Sequence, residues 1–138
     1  MPRNVKLKGV MDGRIVRAMD DGEDFGFIPV MMRVDTAGGS TNSVSLTMER
    51  KFTVIDAHAV LKAAGTTSDT YQIFNGSNAI SDAVSIASAS DKDIVRIGEI
   101  DDARMEIAAG GTLKVTSTDG GSTDNPALSV YILGYYHL

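Results

Sequence analysis

The sequence predicts an all-β fold: one antiparallel β-sandwich domain. Apolar and polar residues alternate over short runs, as at Val44, Leu46 and Met48, at Phe52 and Val54, and at Tyr71 and Ile73. That period of two is the pattern of a strand with one buried face. Gly, Asn and Asp break these runs at fairly regular spacing, giving eight to ten short strands, which is the punctuation of a sandwich or barrel. A chain of 138 residues without cysteine is long enough to bury a core without disulfides or metal.

The elements follow in order. Residues 1–19 carry Arg3, Lys6, Lys8, Arg14 and Arg17 against Asp12, a charge of +4 in a chain of −5, so the remainder is −9. Asp20, Asp21, Glu23 and Asp24 then crowd around Gly22. This acidic run beside Gly22 reads as a loop. Clustered carboxylates suit a hard cation such as calcium, but the spacing fits no known calcium-binding loop pattern. The division expected is a flexible, basic then acidic N-terminal arm over residues 1–24 and a sandwich over residues 25–138. "FGFIPVMMRV", from Phe25 to Val34, is a strand whose Pro29 suits a sheet edge or a bulge. "DTAGGSTNS" is a loop.

Strands are expected next over Val44–Met48 and from Phe52, supported by β-branched and aromatic residues. "DAHAVLKAAG" could add a helical turn closed by Gly65. In "YQIFNGSNAISDAVSI" a strand runs to a turn at Asn75-Gly76, and an irregular segment leads into another strand near Val84. Asn75-Gly76-Ser77 also matches a glycosylation acceptor, which a tight turn explains equally well. Ile94–Ile100 and Arg104–Ile107 read as strands, and Gly110-Gly111 turns the chain into Leu113–Thr118. After the loop "TDGGSTDNP", the run "LSVYILGYYHL" is apolar on both faces. It is expected at the centre of a sheet or at a subunit contact.

Signs of catalysis are few. The two histidines, His58 and His137, lie in no zinc or triad signature. His58, amid apolar neighbours, is expected to be a hydrogen-bonded packing residue. Asp35-Thr36-Ala37 approaches the Asp-Thr-Gly of aspartic proteases, but Ala37 stands where the backbone must turn beside the carboxylates. Asp35 is therefore expected in a turn. Asp101-Asp102 would point to opposite faces of a strand. No enzyme activity, catalytic residue, cofactor or metal is expected. An acidic body disfavours nucleic acid. No segment approaches the roughly 20 apolar residues of a membrane span, and the N-terminus has no apolar run of the signal-peptide kind. Synthesis in the cytoplasm is the simplest expectation.

"FTVIDAHAVLKAAG", "DTYQIFNGSNAISDAV" and "DKDIVRIGEIDDARMEIAAGGTLKV" together resemble the head decoration, or cement, proteins of tailed bacteriophages. Among these, the chain resembles the jelly-roll cement protein of a short-tailed Bordetella phage. It spans roughly residues 52–115, is weaker at "YILGYY", and does not extend clearly to residues 1–50. The resemblance implies a jelly-roll sandwich on the outside of an icosahedral head, made in the host cytoplasm and clamping neighbouring copies of the major capsid protein. It also implies self-association, as a homodimer or homotrimer. The family has no active-site motif to transfer. Candidate capsid or subunit contacts, read from charge and apolar strands, are Arg3, Lys6, Lys8, Arg14, Arg17, Phe25, Phe27, Tyr131, Tyr135 and Tyr136. The alternative reading is a carbohydrate- or cell-surface-binding module of a phage fibre or tail. Against it, the chain has no Trp and four Tyr, few of the exposed aromatics on which sugars stack.

Overall fold

The computed structural model describes residues 27–121 and 124–138. The arm, with Arg3, Lys6, Lys8, Arg14, Arg17, the acidic run and Phe25, lies outside the described residues. Among the described residues the fold is all-β, with ten strands in two antiparallel sheets. Sheet A contains β1 (Phe27–Thr36), β10 (Leu128–His137) and β3 (Phe52–Leu61) in that order, and then β7 (Ile94–Arg96) and β8 (Glu106–Ile107), which both pair with β3. Sheet B contains β2 (Asn42–Thr47), β9 (Thr112–Thr118) and β4 (Thr70–Asn75), and then β5 (Asn78–Ala79) and β6 (Val84–Ser85), which both pair with β4. Each sheet thus closes on one side with an edge strand broken in two. Counting each broken strand as one position, the orders are 1-8-3-6 and 2-7-4-5. This is a jelly-roll arrangement: the chain crosses between the sheets at each step except from position 4 to position 5, a hairpin within sheet B.

The alternation decides what faces in. Val34, Ala57, Ala59, Leu61, Val130 and Ile132 point from sheet A onto Tyr71, Ile73, Leu113 and Val115 of sheet B, all of them buried. Four residues of the hydrophobic core come from the connections: Met48, Ile80, Ile86 and Ile97. The Tyr71 hydroxyl crosses the sandwich and donates to the Val95 carbonyl at 2.6 Å. Burial pushes the Tyr71 phenol far above its ordinary pKa, so it serves as a fixed donor.

Several expectations are met. β1 is an edge strand, where Pro29 removes no central ladder bond. β10 is central, between β1 and β3. The β4–β5 turn is tight, but its central pair is Gly76-Ser77, one residue later than Asn75-Gly76. Gly76 adopts φ 61°, the left-handed value that a two-residue hairpin asks of its first central position.

Other expectations are corrected. "DAHAVLKAAG" holds no helical turn. β3 continues through it to Leu61, because Ala57, Ala59 and Leu61 are needed in the core. Tertiary burial here overrides the helix preference of alanine. The strand expected over Ile94–Ile100 ends at Arg96. That expected from Arg104 begins at Glu106, because residues 102–104 form a turn in which the Asp101 carboxylate accepts from Ala103 N–H.

Near its middle, β3 carries a bulge. The register against β10 passes from Leu133↔Asp56 to Gly134↔Val54, leaving Ile55 unpaired and 53% exposed. Gly134 occupies the narrow side of this distortion. A Cβ there would run into the Thr53 carbonyl oxygen and the Phe52 ring, so the backbone approaches closely only because no side chain intervenes.

Candidate docking surface on the outer face of sheet A

Residues of sheet A that alternate away from the core fall into cross-strand rows. One runs Arg33, Tyr131, His58, Arg96 over four strands. Here the Tyr131 and His58 rings stack with centroids 5.2 Å apart and planes at 20°, and the Arg33 guanidinium lies 6.0 Å from the Tyr131 ring centre. Next to it run Met31, Leu133 and Asp56, and beyond these Pro29, Tyr135, Thr53 and Glu106. Phe27 packs on Tyr135 at 5.0 Å, and His137 on Tyr135 at 5.1 Å. Thr53 Oγ1 and His137 Nε2 share a hydrogen bond at 2.8 Å.

Charge on this face is tied down locally. Arg33 donates to Asp35 at 2.9 Å, and Ser129 Oγ donates to the same carboxylate at 2.8 Å. Those two bonds hold the Asp35 pKa below the ordinary carboxylate value. Lys62 adds a contact at 3.7 Å. Arg96 donates through both Nε and Nη2 to Asp56, at 3.1 and 2.7 Å. This fork likewise lowers the Asp56 pKa, against the opposing effect of partial burial. Lys51 and Glu106 pair at 2.5 Å, which lowers the Glu106 pKa in turn.

Between these pairs stand exposed apolar side chains. Met31 is 59% exposed, Ile94 69% and Leu133 39%. Every large exposed hydrophobic residue among the described residues lies on a sheet A strand, except Leu138, which directly follows β10.

The contact candidates divide accordingly. Phe27, Tyr131 and Tyr135 share this outer face. Tyr136 alternates inward, with its ring 5.1 Å from that of Phe52. It lines a groove of about 530 Å³ between β1 and β2 with Ile28, Met32, Leu46, Met48 and Leu138. His58 is half-buried on the outer face, not in an apolar interior. Asp35 is the penultimate residue of β1, paired with Ser129, instead of sitting in a turn. Among the described residues, no further layer covers β10 on its outer side: Leu133 remains exposed there.

Sequence reasoning missed Arg33, Asp56 and Arg96, and reached Met31 and Leu133 only as members of the apolar runs Phe25–Met32 and Leu128–Tyr136. The alternation of Met31, Arg33 and Asp35 against Met32 and Val34 was the available signal. It points to a face only once β1 is paired with β10.

Elsewhere, a polar depression of about 370 Å³ is lined by Asp82, Glu99, Asp101 and Arg104. Among the described residues, no group of three His, Cys, Asp or Glu side chains is placed to hold a metal ion. No model of a known protein family matches the chain, and no curated protein matches it significantly.

Proposed function

We propose that this chain is a structural protein of a tailed-phage virion, a cement protein that binds the outside of the icosahedral head and clamps neighbouring major capsid subunits. The carrying observation is the exposed apolar and aromatic outer face of sheet A, set on a rigid jelly roll. Isolated exposed apolar residues are ordinary, whereas a contiguous group marks a protein contact. Support also comes from the strand and turn sequences that resemble head decoration proteins. The mechanism is linkage: a protein that binds the assembled shell but not separate subunits stabilises the shell. Repeated copies on a symmetric lattice multiply modest contacts. The basic arm, with Arg3, Lys6, Lys8, Arg14 and Arg17, is the second contact of this reading.

Copy number in purified virus particles, by quantitative mass spectrometry against the major shell protein, tests the proposal. Copies near stoichiometric with the shell are expected. A handful per particle would replace this reading with that of a tail or fibre module. That second reading has one observation in its favour: Tyr131 and Tyr135 stand on an open face, where a sugar ring could stack. A glycan-array screen tests it.

A further inference from the structure

β1 and β2 are the edge strands of their sheets on the same side of the sandwich, and the groove opens between them. Among the described residues, no further strand lies beyond either one. The pleat of β1 turns Ile28, Val30, Met32, Val34 and Thr36 toward the core. Cover thins along this row. Thr36 and Val34 are 3% exposed, Met32 and Val30 are half-buried, and Ile28 is 42% exposed. Opposite them, Val44 and Leu46 of β2 are only half-buried, although their partners Val115 and Leu113 in β9 are buried. Inward-facing apolar residues of a sandwich belong to the core between its sheets. Here that core meets water along a seam of about 530 Å³.

The occupant follows from where the chain enters. Ile28, on the wall of the groove, directly follows the first described residue, and 26 residues precede Phe27. The densest apolar stretch among those 26 is Ile15, Val16, Ala18 and Met19. We infer that residues 15–19 of the same chain seat in this groove and close the seam between the two edge strands. From Met19 to Phe27 an extended chain of eight residues spans up to about 28 Å. That is enough to double back onto the groove, and Gly22 and Gly26 suit the reversal. Charge favours the seating. Residues 13–19 carry Arg14 and Arg17 and no acid, whereas residues 27–138 carry 8 basic and 13 acidic side chains. The free sides of β1 and β2 also offer unpaired backbone groups, which an added extended segment satisfies. Tethering selects the chain's own arm. A segment on a short linker acts at a millimolar effective concentration, above that of a second copy in dilute solution. Residues 1–14 then leave the body from one fixed place.

Hydrogen exchange of the full chain, read peptide by peptide by mass spectrometry, tests this seating. Backbone amides of residues 15–19 are expected to exchange at least about tenfold more slowly than those of residues 3–8. Ile28→Lys and Leu138→Lys alter side chains that are already exposed. Each should remove the protection while circular dichroism keeps the strand signal. Thr118→Lys, on the outer face of sheet B, should leave the protection in place. Because the chain has no cysteine, Val16→Cys combined with Leu46→Cys gives a second readout. Mild oxidation should join that pair within one copy, and Val16→Cys with Lys114→Cys should stay unjoined. Amides at 15–19 that exchange as fast as those at 3–8 overturn the inference, as does protection that survives both groove variants. Protection that rises with protein concentration, or cross-links between copies of different isotope label, assigns the groove to another copy's arm and overturns it too. None of these readouts involves phage heads, so their outcome is separate from that of the cement reading.

Discussion

On the outside of sheet B the pleat presents Ser43, Ser45, Thr47, Thr112, Thr116 and Thr118. Ser43 and Thr116 share a hydrogen bond at 2.8 Å, and Lys114 lies 4.6 Å over the Phe74 ring. On the outside of sheet A the same geometry presents Met31, Leu133, Tyr131, Tyr135 and three sets of ion pairs. Both faces close onto one core, so folding alone does not call for the difference. A Ser/Thr face hydrates well and discourages association. The apolar face exposes surface that costs about 25 cal/mol per Å² to leave in water. The contrast supports the reading of the outer face of sheet A as the docking side and of sheet B as the solvent side.

The largest expected effect breaks sheet A alone. Gly134→Ala places a methyl group against the Thr53 carbonyl and the Phe52 ring. It should lower stability by about 2–3 kcal/mol, read by urea unfolding. A neutral result would mean that the β3 bulge can relax, and that sheet A is softer than its register implies.

Next comes a tie outside either sheet's face. Asp69 is fully buried. It accepts from Thr66 N–H at 2.9 Å, from Thr66 Oγ1 at 2.6 Å and from Gly120 N–H at 3.0 Å, joining the loop before β4 to the loop after β9. Burial alone would raise its pKa, but these donors outweigh burial and lower it. A depressed folded-state value means that its stabilisation is fully present above the ordinary pKa of about 4 and is lost as pH falls through the folded value. The melting temperature should therefore fall in acid below about pH 4. Asp69→Ala should remove part of that dependence and cost about 2 kcal/mol at neutral pH by orphaning its donors.

Tyr71→Phe tests the link between the sheets. Loss of the bond to the Val95 carbonyl should cost about 1 kcal/mol. The smallest effects should separate the two outer faces. Asp56→Asn weakens the fork from Arg96, and Ser43→Ala removes the bond to Thr116. Both should barely move the melting temperature, since exposed pairs contribute little. Only the sheet A change should alter association, because it leaves Arg96 as an uncompensated charge on the docking side.

Strands with plain alternation were legible in the sequence: β2, β4 and β9 each declare their buried side by period two. The sheet edge for Pro29 and the centre for β10 were legible too, one from a missing N–H and the other from apolar density. β3 was half legible, since "DAHAVLKAAG" mixes helix-favouring alanine with strand spacing and only the facing core decides between them. The broken edges β5/β6 and β7/β8 were blurred, because strands of two or three residues carry too few positions to show a period. The docking face was the least legible. Its rows bring together residues as distant as Arg33, His58, Arg96 and Tyr131, and cross-strand neighbours exist only once the register is set. Hence Tyr136 was grouped with Tyr135, although adjacent residues of a strand point to opposite sides.

The central place of β10 has a consequence for the birth of the molecule. Its partners β1 and β3 both precede it in the chain, and Phe27 pairs with His137. Until β10 has been made, β1 and β3 have no strand between them and sheet A has no middle. Pairings so distant in sequence form slowly, so the apolar faces of β1 and β3 stay open to chaperones until β10 arrives.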